Sequence, residues 1–478
     1  MENLGADVML ALPEVILLGA ASTVLVLSLY AGRYGEALAF WSSLAVLGAV
    51  AVLVGFTTTP QETFAFGSLY IHDPLAVAVK LFACLTAAVV FMYARPYLQQ
   101  RSHARPEFYV LGLFATLGVL VMASAHNFIL VYLGLELLSL CLYALVVFER
   151  DSSDASEAAI KYFVLGAIAS GMLLYGMSIL YGLTGSLDLA EISAHLGSRT
   201  TDSIALVFAL AFIVVGLAFK FGAVPFHMWV PDVYHGAPTA VTLFIATMPK
   251  LAAFVMTIRL LSNGLQELLT DWQQMLVVVT VLSVIFGNVI AIAQSNIKRM
   301  LAYSAISHIG FILLGILSGS DFGYAAALFY TVIYVLMAAG AFGVLVLFAS
   351  QGRSMDRLVD LKGLGKSSPW FALIMLLLMF SMAGVPLTVG FYAKLYILQS
   401  LVQDGMLWLA ILAIVMSVIG AFYYLRVVKY MYFDEPDEQL HVRGPGLAQA
   451  ALSVNGLLVI VLFVFPNTLL DYCVRVLN

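Results

Sequence analysis

The stretch Leu217–Leu251, LAFKFGAVPFHMWVPDVYHGAPTAVTLFIATMPKL, sets two lysines, Lys220 and Lys250, inside apolar runs long enough to cross a bilayer. Between them lie a Gly/Pro break at Gly222 and Pro225 and a compact polar-aromatic turn, His227 to Thr239. A charge in hydrocarbon costs at least about 2.5–3.5 kcal/mol on insertion scales, so a lysine at that depth is a functional candidate by default. A proline in a spanning helix frees backbone groups that need a cavity or a neighbour to satisfy them. Two amines flanking a broken helix therefore point to an ion or proton path.

Working outward, the whole chain has the composition that such a path needs. It is 478 residues long, 63% hydrophobic and only 10% charged, against about 25% charged in soluble proteins. The fold class is an all-α polytopic membrane protein. A net charge of −5, spread along the chain, gives no footprint for nucleic acid or a charged substrate. Cys84, Cys141 and Cys473 form no CxxC pair and no disulfide framework. Glu2 and Asp7 stand where a cleaved signal would carry a basic segment, so the first apolar run is expected to be a retained helix.

Runs of about 20 apolar residues predict fourteen spans, at 8–30, 36–57, 74–95, 107–124, 127–148, 157–184, 203–229, 238–262, 272–294, 299–318, 322–350, 369–403, 406–432 and 447–470. Their odd-numbered connections hold fifteen lysines and arginines: Arg33, Arg95, Arg101, Arg105, Arg150, Lys161, Lys298, Arg299, Arg353, Arg357, Lys362, Lys366, Arg426, Lys429 and Arg443. The even connections and both ends hold only Arg199 and Arg475. The positive-inside rule then places the odd loops in the cytoplasm and both termini outside. Five basic residues are left within spans: Lys80, Lys220, Lys250, Arg259 and Lys394. Arg259 lies near the outer end of its helix, where snorkelling to the interface is expected, and Lys80 lies about two turns from its outer helix end, where snorkelling competes with a functional role. Lys220, Lys250 and Lys394 are deep. Of the acidic residues within spans, Glu14 is near an end and Glu136 is close to mid-membrane.

An internal repeat fits this layout. Spans four to eight and nine to thirteen number five each, so the second set must insert upside-down relative to the first. The chain divides into N-terminal helices at 1–106, a first five-helix repeat at 107–262, an inverted second repeat at 272–432 and a C-terminal helix at 447–478. The seventh and twelfth spans are both interrupted, aligning Gly222-Ala-Val-Pro225 with Ala383-Gly-Val-Pro386. Interrupted helices at matching places in inverted halves mark a transporter's pathway. The lysines themselves do not superpose, since Lys220 precedes its proline and Lys394 follows its own.

The buried charges have chemistry suited to protons. Loss of water favours the neutral amine, and a nearby carboxylate favours the ammonium. At about 4 Å and an effective dielectric near 20, that attraction is roughly 4 kcal/mol. Moving Glu136 toward or away from Lys220 would load or unload the lysine. His308, mid-span, is a candidate relay, with a neutral hydrogen-bonded histidine as the alternative. His227 and Asp232 sit at the cytoplasmic turn, where capping or bracing competes with proton uptake. Tyr303 and Ser304 read as helix-packing or water-binding groups. There is no GxGxxG, no metal-ligand cluster and no clustered Ser/His/Asp. Gly365-Lys366-Ser367 lacks the glycine a phosphate loop needs five positions earlier, where Asp360 stands.

Phe226-His-Met-Trp229-Val-Pro231-Asp232-Val-Tyr234-His-Gly236-Ala-Pro238-Thr239, with Lys220 before and Met248-Pro-Lys250 after, resembles the proton-conducting module shared by complex I and multi-subunit cation/proton antiporters. Within that group it is similar to the subunit N branch of NADH–quinone oxidoreductase, and the basic Asn296-Ile-Lys298-Arg299-Met-Leu-Ala-Tyr303-Ser304 segment extends the likeness. The resemblance implies two inverted five-helix bundles in a membrane arm, driven by quinone reduction elsewhere. It implies proton-path roles for Glu136 on the fifth helix, Lys220 on the seventh, Lys250 on the eighth and Lys394 on the twelfth, with His308 and water on the axis between the last two. Lysine at position 394 argues against the subunit M branch, and an end soon after the fourteenth span argues against subunit L.

The expected function is a non-redox, proton-translocating subunit of an NADH:quinone oxidoreductase in the bacterial inner membrane. By the same resemblance, flavin, iron–sulfur clusters and quinone belong to other subunits and this chain binds no cofactor. Its partners are other membrane-arm subunits, including antiporter-like neighbours, together with lipid, protons and water; nucleic acid is not among them. The alternative in the same fold is a subunit of a cation/proton antiporter or membrane-bound hydrogenase. A stand-alone solute transporter and a structural scaffold are the readings from other classes.

Overall fold

In hydrocarbon every backbone N–H and C=O needs an internal partner, so the apolar runs fold as helices. The computed structural model describes residues 4–57, 61–100, 105–197, 204–350, 355–435 and 446–477. In chain order the helices are α1 (Leu4–Leu10), α2 (Leu12–Tyr30), α3 (Gly35–Phe56), α4 (Pro74–Gln100), α5 (Glu107–Ala123), α6 (Phe128–Val146), α7 (Ser153–Thr184), α8 (Leu189–Gly197), α9 (Ile204–Phe221) and α10 (Trp229–Gly236). There follow α11 (Thr239–Thr257), α12 (Leu269–Ala293), α13 (Ile297–Leu317), α14 (Asp321–Ala349), α15 (Leu364–Ser367), α16 (Pro369–Ala383), α17 (Val389–Gln403), α18 (Leu407–Phe433), α19 (Gly446–Val464) and α20 (Pro466–Leu477). A two-stranded antiparallel hairpin, β1 (Thr63–Ala65) and β2 (Tyr70–His72), precedes α4.

Side chains close the helix starts that the sequence places between apolar runs. Asn127, Ser152, Asn296 and Ser320 each accept a backbone N–H from the first turn of α6, α7, α13 and α14, satisfying a donor that has no partner inside the helix. Among the described residues twelve helices are long and apolar enough to cross a membrane, and α5 and α16 are shorter apolar helices. The fourth predicted span is α5, and the twelfth is α16 followed by α17. The spans built on α11, α13 and α14 are 100%, 94% and 89% buried, whereas α2, α3 and α18 are one-third buried. The core of the molecule is therefore the α11, α13 and α14 group.

Three expectations are corrected. The last span stops at Val464 rather than running to 470, because Pro466 cannot continue the ladder of backbone bonds; α20 begins there and turns Cys473 and Val476 inward. The small hairpin and α8 are too short to register as apolar periodicity. Lys80 and Arg259 do not snorkel. Lys80 Nζ lies 2.6 Å from Glu14 Oε1 and donates to the Tyr70 hydroxyl at 2.7 Å. The Arg259 guanidinium, 0% exposed, forks onto both Asp73 oxygens at 2.7 Å. Each cation stays inside because it has its own carboxylate. Arg101, Arg199, Arg353 and Arg443 lie outside the described residues.

Candidate functional site: three lysines around two broken helices

The two breaks are built alike. At the end of α9, Gly222 takes φ +80°, and its N–H and that of Ala223 turn back to Ala218 O at 3.0 and 2.8 Å. At the end of α16, Gly384 takes φ +84°, and its N–H and that of Val385 turn back to Phe380 O at 3.0 and 2.9 Å. Left-handed backbone costs other residues roughly 1–2 kcal/mol, which is why glycine ends these helices. The structural register thus pairs Gly222 with Gly384, one residue away from the alignment made on the prolines.

Each break leaves the carbonyl just before the glycine free, and a lysine takes it. Lys250 Nζ, from α11, donates to Phe221 O at 2.9 Å. Lys394 Nζ, from α17, donates to Ala383 O at 2.8 Å and to Ser417 Oγ at 2.7 Å. A Cβ on Gly384 would lie 2.8 Å from Lys394 Cδ, so the glycine also makes room for the amine. A helix C-terminus carries about half a negative charge, so an ammonium is favoured there without a carboxylate. When the proton leaves, no anion is stranded. Lys80 and Arg259 are the opposite case, since each faces a buried carboxylate that fixes its charge.

Lys220 sits two residues before the first break. Its Nζ donates to Ser139 Oγ at 3.1 Å and Ser170 Oγ at 2.9 Å. Hydroxyls can donate or accept, so they serve the amine in either protonation state. Glu136, half-buried one turn before Ser139 on α6, makes no ion pair with Lys220, and its Oε1 has no hydrogen-bond partner. A cavity of about 20 Å³ beside Lys220 is lined by Ser139, Tyr162, Phe219, Trp229 and Pro249 among others, room for a single water. The Trp229 indole donates to Phe219 O at 3.1 Å, stacks on Tyr162 and lies 5.7 Å from Lys250 Nζ. Lys220 and Lys250 therefore share one aromatic wall.

His308 is 3% exposed. Its Nδ1 lies 2.7 Å from the Tyr330 hydroxyl and its Nε2 lies 3.0 Å from the Tyr424 hydroxyl, which also bonds Ser304. Tyr330 stacks on Phe311, whose ring centroid is 5.2 Å from Lys394 Nζ. His308 and Lys394 are thereby joined through packed rings. No direct hydrogen bond joins Lys250 to His308 among the described residues. Sequence reading missed Ser139, Ser170, Ser417, Tyr330 and Tyr424. Only Ser139 had a signal, its place one turn from Glu136 on the same helix face.

Asp232, on α10, braces the turn between the Lys220 and Lys250 helices. It accepts from Lys161 Nζ of α7 at 2.8 Å and from Arg299 Nη1 of α13 at 2.9 Å. Burial pushes its carboxyl up, but these two cations more than offset that and hold it below the usual carboxylate range.

Residues 125–420 match the family described as NADH:quinone oxidoreductase/Mrp antiporter, TM. NADH-quinone oxidoreductase subunit N of Thioalkalivibrio sulfidiphilus is 56% identical over 466 residues, 97% of each chain. The chain belongs to this family. The subunit N of Thiobacillus denitrificans is 54% identical over 471 residues, 98% of this chain and 97% of that one. A chain of respiratory complex I from Thermus thermophilus superposes with a TM-score of 0.81 at 32% identity, covering 96% of this chain and 98% of that one. An Mrp complex chain from Dietzia sp. superposes at 0.84 with 21% identity, covering 98% and 96%, a likeness of fold. The matched NADH:quinone oxidoreductase/Mrp antiporter region takes in Glu136, Lys220, Lys250, His308 and Lys394.

Proposed function

We propose that the chain is a proton-translocating membrane-arm subunit of an NADH–quinone oxidoreductase, in which Lys220, Lys250 and Lys394 take up and release the protons. The observation that supports this most directly is the pair of glycine-broken helices whose free carbonyls hold Lys250 and Lys394 without a carboxylate. Such amines can change charge at modest cost, which a fixed ion pair cannot do. Glu136, unpaired and half-buried, is the group that loads Lys220 when it approaches. His308 relays between the Lys250 and Lys394 sides through the Tyr330 and Tyr424 hydroxyls.

In this reading the chain carries no redox group. Flavin, iron–sulfur clusters and quinone reside on other subunits of the complex, and its neighbours in the inner membrane are further antiporter-like subunits. Both α5 and the α16–α17 pair cross the bilayer, giving fourteen spans in two inverted five-helix repeats with both termini on the periplasmic side. Subunits of Mrp-type complexes share the fold, but the high identity to subunit N over nearly the full length favours the oxidoreductase. The test is proton pumping by membranes carrying Lys250→Ala, normalised to assembled complex and to electron flux. Pumping per electron is expected to fall; an unchanged ratio would leave the amines a purely structural role.

A further inference from the structure

Helix α11 carries Lys250 in its middle and passes at its outer end into a π-helical turn, Ile258–Gly264, that holds Arg259. The two cations are nine residues apart, two and a half turns, and so point to opposite sides of the helix. Lys250 faces the end of α9. Arg259 faces α4 and α5, where its Nε and Nη2 donate to Ala123 O at 3.1 and 2.7 Å, in addition to the fork on Asp73. Ala123 is the last residue of α5, and Asp73 immediately precedes α4, accepting from Ala76 N at 2.8 Å as its cap. The guanidinium thus lies at the negative end of one helix and the carboxylate at the positive end of another, which favours both.

Between these attachments α11 is soft. Pro249, next to Lys250, lies inside the helix and withholds a backbone bond. At the other end the π turn abandons the α register, an irregularity frequent at functional sites. Only one rotation of α11 about its axis puts Lys250 Nζ on Phe221 O while Arg259 meets both Asp73 and Ala123 O.

We propose that Asp73 and Arg259 are positioning residues for proton transfer, fixing the rotation of α11 so that the Lys250 amine stays on the carbonyl at the first helix break. This rests on the reading of Lys250 as a proton carrier. Neither residue touches the proton. Asp73 belongs to the N-terminal helices, so that unit sets the geometry of a lysine it never contacts. The Glu14–Lys80 pair, two turns along α4, joins α4 to α2 within the same unit.

The test uses the assembled complex in native membranes and reads protons pumped per electron, a ratio that loss of assembly does not move. Replacing a buried pair by apolar residues of similar volume is often neutral for stability, so the variant is the double substitution Asp73→Leu with Arg259→Met. It is expected to assemble, to keep electron flux, and to lose pumping per electron down to the level of Lys250→Ala in the same assay. Asp73→Glu, which keeps the charge and the fork, is expected to retain pumping. A wild-type ratio in the double variant overturns the proposal. If the double variant fails to assemble, Arg259→Lys decides, because it keeps the charge but loses the fork: a lowered ratio supports the proposal and a wild-type ratio overturns it. If Lys250→Ala itself pumps normally, what fails is the role given to Lys250.

Discussion

Among the described residues four lysines lie deep within the apolar spans, away from the helix ends, and what separates them is the charge of the partner. Lys80 faces the Glu14 carboxylate, while Lys220, Lys250 and Lys394 face hydroxyls and backbone carbonyls. Depth was legible in the sequence, because counting residues along an apolar run places a lysine. The partner was not, because Glu14 and Lys80 are 66 positions apart and nothing local couples them. Removing one member of a buried pair costs about 3–5 kcal/mol. Lys80→Ala is therefore expected to lower the amount of assembled complex on a native gel while leaving pumping per assembled complex unchanged. Lys250→Ala should do the reverse.

At the scale of elements, the two interrupted helices were readable from Gly222, Pro225, Gly384 and Pro386. Their exact register was not, because φ is a property of the folded turn and the prolines drew the eye one residue away. The relay around His308 was half-visible: the histidine stands out in an apolar helix, but Tyr330 and Tyr424 come from two other helices, 22 and 116 positions away. The short helix α10 shows how a break is kept in place. Asp232 ties it at once to α7 and α13, and its carboxyl is held below the usual range. A carboxyl so lowered contributes stability above its unfolded value, about 3.9, and loses it as pH falls through the folded value. Hydrogen exchange across Trp229–Gly236 should then stay protected from neutral pH down to about 4 and open below. Asp232→Asn should show the reduced protection already at neutral pH, with a flatter response to acid.

Across the whole molecule, the number of crossings fixes which side each loop faces, and two helices decide it. α5 has 17 residues and α16 has 15, a rise of roughly 25 and 22 Å at 1.5 Å per residue. A hydrocarbon core is about 30 Å thick. α5 would reach across with slight local thinning, and α16 would do so only together with α17. If both cross, eight spans separate Gly5 from Glu267, three separate Glu267 from Lys366, and three more lead to Asp471. Cysteines placed singly at these exposed positions should react with a membrane-impermeant maleimide from the outer face at 5, 267 and 471, and not at 366. Cys84, Cys141 and Cys473 are all buried and give little background. Failure of α5 to cross reverses the label at 267 relative to 5. Failure of the α16–α17 pair makes 471 behave like 366. Failure of the α16–α17 pair would also break the inverted relation proposed for the two helix breaks, whereas failure of α5, which precedes both, would turn both over together and leave that relation intact.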